Sequence, residues 1–248
     1  MKKILSMCAF GNDLRYVIGA HKQALLAKKY YPDFEVWLYT DQPGIYQIEG
    51  KIIGMPANTD GALWRFFPFF RGEDTIVLCR DADSRITERE FVAVQEWLVS
   101  DAKMHTIRDH EWHFQLETNP ILASGFGLKG CWPESVFQIF LKEMMFSQFQ
   151  YGRDEEFLCK YIWPQYKNNI LIHSMQAAGW FAETRKDLLN PYEFCLNGWD
   201  QHDLPLYAPN GELAGNHQNQ LAFWRSFPGQ EAPKFNQYGK THGNQNLP

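Results

Sequence analysis

Asp81 and Asp83 stand one residue apart, directly after an apolar run, in the stretch VLCRDADSRIT at 77–87. Two carboxylates so close repel each other unless something positive sits between them. Alternate residues leaving a strand can aim both carboxylates at one point. Hard oxygen ligands of this kind select Mg²⁺ or Mn²⁺. Two side chains cannot fill an octahedral shell, so a substrate must complete it, and diphosphate oxygens are the usual partner. A metal on a diphosphate stabilises it as a leaving group, which is the chemistry of a nucleotide-activated donor. The plain alternative is a surface turn with two solvated aspartates. Arg80 and Arg85 fit either, pairing locally or approaching phosphate.

These residues need a frame. Residues 3–10 read as a buried strand ended by Gly11-Asn12-Asp13. A helix follows, with Asp13 as cap and Pro32 beyond its end. Its spacing puts Leu14, Val17, Ile18, His21 and Leu25 on one face. FEVWLYT is a second strand, IEGKIIGM a weaker third, DGALWRFFPF a short helix and DTIVLC a strand apolar on both faces, hence central. Thr87 and Glu90 form a capping box. MHTIRD and NPILASGFGLKG are strands, and PESVFQIFLKEMMFSQF is a helix opened by Pro133. DEEFLCKYIWP is a helix capped by Asp154 and closed by Pro164, and NILIH is a last strand.

Strand–helix alternation predicts an α/β fold, a single domain with a mostly parallel central sheet flanked by helices. Such sheets bind ligands beyond the carboxyl ends of their strands, where Asp81 and Asp83 fall. Phe10, Gly11 and Asn12 open on the same edge and should meet the nucleotide base, with Gly11 permitting close backbone approach. The domain is read as 1–230, followed by a polar, mobile tail at 231–248.

Composition narrows the classes. The 248 residues are 45% hydrophobic and 21% charged, enough to bury a full core. A net charge of −5 without a basic stripe excludes a nucleic-acid surface. Five dispersed cysteines, never paired as Cys-x-x-Cys, read as reduced thiols of a cytoplasmic protein. The opening MKKILSMCAF is a first strand and not an export signal, and no run is long enough to span a bilayer. Aromatics reach 16%, and Trp112, Trp132, Trp180, Trp199 and Trp224 could line a sugar-binding groove or simply fill core.

GNDLRYVIGAHKQALLAKKYYPDFEVWLYTD, GALWRFFPF, VLCRDADSRITEREFVAVQEWLVSD, HTIRDH, YGRDEEFL and LIHS follow one another in an order that resembles glycosyltransferases of the GT-A fold. The likeness is to bacterial and viral enzymes acting on surface glycans, and more distantly to the retaining, glycogenin-like family. It implies a nucleotide-sugar donor, most simply UDP-linked, a glycan or other hydroxyl acceptor, and Mn²⁺ or Mg²⁺ as cofactor. It makes Asp81 and Asp83 metal ligands, with His173 of LIHS completing the metal site. Bottom-up, His173 ends an apolar strand, where a neutral imidazole could join two carboxylates.

The resemblance further places Trp64 and Arg65 at the donor, Arg65 on the diphosphate. Arg108 and Asp109, after another strand, would contact sugar hydroxyls. Asp154 matches an aspartate that binds the donor sugar. Glu155 stands where the family carries Gln, under the anomeric carbon. A Glu there could act as base for inversion, as nucleophile for retention, or as a helix-opening residue. Family likeness favours retention. His105, His110 and His113 do not match a familiar metal motif and read as structural or acceptor-side. Two alternatives stand beside the transferase. A sugar nucleotidyltransferase would need a Gly-rich basic loop that AFGNDLRYVIG lacks, and a degenerate glycan or nucleotide-sugar binder would keep the metal without turnover.

Overall fold

The computed structural model describes residues 1–108, 120–146, 151–174, 184–186 and 199. Asp109, His110, Trp112, His113, Trp180, Cys195, Trp224 and the 231–248 tail lie outside the described residues.

The strands are β1 (Lys2–Cys8), β2 (Glu35–Thr40), β3 (Lys51–Gly54), β4 (Thr75–Arg80), β5 (Met104–Arg108), β6 (Gly125–Lys129), β7 (Ile170–Ser174) and β8 (Thr184–Lys186). They form one eight-stranded sheet in the order β3-β2-β1-β4-β6-β5-β7-β8. Every neighbouring pair is parallel except the two made by β6. The fold is therefore the α/β architecture expected, with a mostly parallel sheet in which one strand is reversed. β4 is buried along its whole length, as its apolar run requires.

Alternation along the strands splits the core in two. Ile4, Cys8, Val77 and Cys79 face a layer made by the 3₁₀ helix Gly61–Phe70 and helix α3 (Glu134–Phe146). Leu5, Met7, Ile76 and Leu78 face helices α1 (Leu14–Tyr30) and α2 (Glu88–Val99). The first layer holds the aromatic excess. Phe69 stacks on Trp132 at 4.4 Å and on Phe126 at 5.0 Å, and Phe66 meets Trp132 edge-on at 5.3 Å. Such pairs add about 0.5–1.5 kcal/mol each beyond burial. Trp132 is thus core and not groove lining.

Three local expectations change. Helix α1 buries Gly19, Ala20, Gln23, Ala24, Leu26 and Ala27, whereas Leu14, His21 and Leu25 are exposed. Small residues let the helix axis lie close to the sheet, and that gain in packing outweighs the larger apolar side chains of the other face. The 61–70 segment is 3₁₀ throughout, with Pro68 inside it, since a proline ring clashes with the carbonyl four residues back in an α-helix. Helix α4 (Arg153–Phe157) is capped by Gly152 in the left-handed region, φ 81°, and not by Asp154. The chain then passes through a π-helical turn at 158–162 into α5 (Trp163–Tyr166). Pro164 opens this last turn, where its missing N–H costs nothing, and does not close a helix.

Asp13 caps α1 by accepting from the Arg15 N–H, and Thr87 caps α2 by accepting from the Glu90 N–H. The capping box is only half formed, because the Glu90 carboxylate turns inward to Arg80 at 2.7 Å. Four of the five cysteines are described and all four are free thiols. Among the described residues no helix is long and apolar enough to cross a membrane.

Candidate active site

The carboxyl ends of β1, β2 and β4 bring the predicted residues together around one buried arginine. Arg65 is 6% exposed. Its backbone is held by Ser6 of β1, whose hydroxyl donates to the Arg65 carbonyl at 2.7 Å. One terminal nitrogen donates to Asp81 at the end of β4, the other to Asp154 at the start of α4. Residues 16 and 89 positions apart are thereby joined through one guanidinium. Asp154 also accepts from the Glu155 N–H at 3.0 Å, which fixes the first turn of α4 beside the pair.

Asp81 and Asp83 do not continue the strand. Residues 81–84 fold into a turn closed by the Ser84 N–H on the Asp81 carbonyl, 3.3 Å. The two carboxylates find different counter-ions. Asp81 meets Arg65 from the 3₁₀ helix, and Asp83 meets Arg15 of α1 at 3.6 Å. Two donors secure the Asp83 carbonyl, the Arg85 guanidinium at 3.1 Å and the Trp199 N–H at 2.9 Å.

Carboxylates outnumber guanidiniums here, and the titration behaviour records it. Burial and the charge of Asp81 push Asp83 up to about 6, against the pull of Arg15 and Arg85. Burial, then Asp154 and Asp81, push Glu155 up to about 7, against Arg65. Burial, then Asp83, pushes the Tyr16 hydroxyl up to about 12. Burial works against the charge of Arg65, yet Asp81, Cys8 and Asp154 hold its guanidinium well above the ordinary value. A carboxylate at a helix N-terminus ordinarily stays ionised. Desolvation and two neighbouring carboxylates outweigh the dipole of a helix this short.

Such an excess of negative charge fits a hard divalent cation held by Asp81 and Asp83. Asp81 keeps 38% of its side chain accessible, so an oxygen is open to a ligand. Among the described residues no group of three His, Cys, Asp or Glu side chains is gathered as a ready metal cage. The remaining ligands would then come from substrate and water, as Mg²⁺ sites commonly arrange.

His173 lies elsewhere. Its Nδ1 meets Nε2 of His105 at 2.9 Å, and its Nε2 meets Glu96 of α2 at 2.8 Å. β7 is three strand positions from β4 in the sheet order. His105, His173 and Glu96 form a cluster that ties β5, β7 and α2 together.

Other expected donor residues divide likewise. Trp64 is 1% exposed and donates to the Thr59 hydroxyl at 2.8 Å, so it is core rather than donor platform. Arg108, also 1% exposed, donates to the Pro120 carbonyl, and burial lowers its pKa to about 10. Phe10 packs edge-on against Trp64 at 6.1 Å. Gly11, at φ 72°, donates its N–H to Asp41 at 2.9 Å, a conformation that favours glycine. Asn12 beside it is exposed.

Arg15, Tyr16, Gly19, Gln23 and Ser84 also border the aspartates, and no chemical motif marks them in the sequence. One signal was available. A glycine inside an otherwise strong helix marks a close approach, and Gln23 follows it one turn later on the same face.

No family model matches the chain, and no curated relative matches it. Among solved structures it superposes on a glycosyltransferase involved in the glycosylation of the major capsid of PBCV-1. Identity there is 12%, coverage 71% of this chain and 82% of that one, and the TM-score 0.42. A second is apo GlyE of Streptococcus pneumoniae TIGR4, a glycosyltransferase, at 15% identity, 68% and 44% coverage and TM-score 0.42. A third is the galactosyltransferase LgtC with donor and acceptor sugar analogues, at 13% identity, 70% and 73% coverage and TM-score 0.41.

Proposed function

We propose that this chain is a metal-dependent glycosyltransferase that moves a sugar from a nucleotide-diphosphate donor, most simply a UDP-sugar, to a hydroxyl of a glycan or similar acceptor. The observation that carries the reading is the cluster of Asp81, Asp154 and Glu155 around buried Arg65, with Asp83 and Arg15 beside it, at the carboxyl edge of the parallel strands. It is an edge where α/β sheets bind ligands, and its charge suits a cation with a diphosphate.

In this reading Asp81 and Asp83 hold Mn²⁺ or Mg²⁺, which supplies charge neutralisation for the departing diphosphate. Arg65 holds Asp81 and Asp154 in place and presents the fixed positive charge nearest the donor. Asp154 accepts hydrogen bonds from the sugar hydroxyls. Glu155 has a proton affinity matched to neutral pH and stands next to Asp154, so it is the group suited to exchange a proton with the acceptor or to stabilise positive charge at the anomeric carbon. Phe10, Gly11 and Asn12 border the nucleotide base.

The test is a calorimetric screen of UDP-, GDP-, CMP- and dTDP-sugars with Mn²⁺, followed by turnover with the donor that binds. Saturable, Mn²⁺-dependent binding of one nucleotide class with release of the nucleoside diphosphate is the expected result. Absence of binding across all four classes refutes the reading. Metal and nucleotide binding without turnover leaves a binder. The anomeric configuration of the product then assigns Glu155 as base or nucleophile.

A further inference from the structure

Gln23 sits in the middle of α1, on the face turned to the sheet, and is fully buried. Burying an amide costs free energy unless its polar atoms are paired. Here both are. Its Nε2 donates to the Ser84 hydroxyl at 2.9 Å, and its Oε1 accepts from the Ile86 N–H at 3.1 Å. The assignment of O and N is forced, because only the oxygen can accept from the Ile86 N–H. Ser84 has one hydroxyl proton and spends it on the Asp81 carbonyl at 2.9 Å. A continuous chain thus runs from Gln23 through Ser84 to the backbone of Asp81.

One helical turn before Gln23, Gly19 allows the contact. A Cβ built there would lie 2.5 Å from the Ala82 carbonyl oxygen and 2.9 Å from the Asp83 Cα. Helix and turn are therefore in backbone contact, with no side chain between them. Apolar packing alone would leave the turn free to rock on such a smooth contact. The amide fixes its rotation by engaging positions 84 and 86 on the downstream limb.

We propose that Gln23 is a positioning residue for the carboxylate pair. It locks the 81–86 turn so that Asp81 and Asp83 reach a bound cation and diphosphate without further ordering. The inference rests on the function proposed above. Groups that orient ligand-bearing residues from behind typically change affinity by about 10–100-fold when removed.

Gln23→Met keeps length and apolar packing while deleting both hydrogen bonds. Ser84→Ala removes the middle of the Gln23–Ser84–Asp81 chain while keeping the amide bond to Ile86, so it serves if the Met variant does not fold. Two readouts are taken on each folded variant, hydrogen exchange of the 82–86 amides and the Kd for UDP with Mn²⁺, alongside Tm. The expected result is exchange in 82–86 faster by at least about tenfold with β4 unchanged, and a Kd raised by about 10–100-fold. Unchanged exchange overturns the inference. So does a lower Tm with an unchanged Kd, which is what a merely structural amide would give. If wild type binds nucleotide and both variants bind equally well, this inference falls alone. If wild type binds no nucleotide of any class, the proposed function falls and takes the inference with it.

Discussion

Gly19→Ala tests the helix-to-turn contact most sharply, because the change is one methyl group and its neighbours are all backbone. The new Cβ would sit 2.5 Å from the Ala82 oxygen and 2.9 Å from the Asp83 Cα. Ordinary contact begins at 3.4 Å, so helix and turn must part by about 0.9 Å. No flexible side chain is there to yield. Replacing a helical glycine with alanine favours the helix by about 1 kcal/mol. Overpacking costs about 1–3 kcal/mol. The net lies between neutral and about 2 kcal/mol of destabilisation, a Tm lower by at most about 8 °C in a chain this size. Function is the more sensitive readout. Ala82 lies between the two aspartates, so the retreat displaces both, and a 1 Å misplacement can cost about 10²-fold in rate. Calorimetry with UDP and Mn²⁺ should show markedly weaker binding in a protein that is still folded. Gly44→Ala is the control, since its Cβ meets nothing within 4 Å. A Gly19→Ala protein with wild-type Tm and wild-type nucleotide affinity would refute the claim that α1 sets the position of the aspartates.

Asp83→Asn should lose Mn²⁺-dependent nucleotide binding and yet be more stable than wild type. Asp83 titrates near 6 when folded, above the ordinary value of 3.8, so stability is lost as pH rises from about 3.8 through about 6; thermal melts at about pH 3 and about pH 8 without metal should separate the variants only at the higher pH. Glu155→Gln should remove the rise of kcat with pH through about 7 and lower its plateau, while donor KM changes little; full turnover with an unaltered profile returns Glu155 to a helix-opening role. Arg65→Leu leaves Asp154 buried without its cation, and breaking a buried pair in this way costs about 3–5 kcal/mol. Denaturant unfolding should register that loss, and a shift below about 1 kcal/mol would mean the pair is well solvated.

Elements of strong local character were legible in the sequence. The apolar runs of β1, β2 and β4, the Asp13 and Thr87 caps, and the placing of Asp81 at a strand end follow from periodicity and from side chains acting on their own backbone. These are short-range effects, so a sequence carries them openly. Arg65, Asp154 and Glu155 were named as site residues, and the contact that joins them, Arg65 with Asp154, links positions 89 apart in the chain. No local pattern states that contact, and it was reached through resemblance.

What only the tertiary structure decided concerns competition between partners. Larger apolar residues on α1 pointed to one face, but close approach to the sheet selected the glycine and alanines of the other. His173 had the chemistry of a metal ligand, but sheet order put it three strands from β4 and gave it His105 and Glu96. Trp132 had the chemistry of a sugar platform, but the layer over β4 buried it. In each case several residues could satisfy the local rule. The choice fell to whichever contact the packing of distant segments made possible, because burial and pairing energies are set by neighbours the chain supplies from far away.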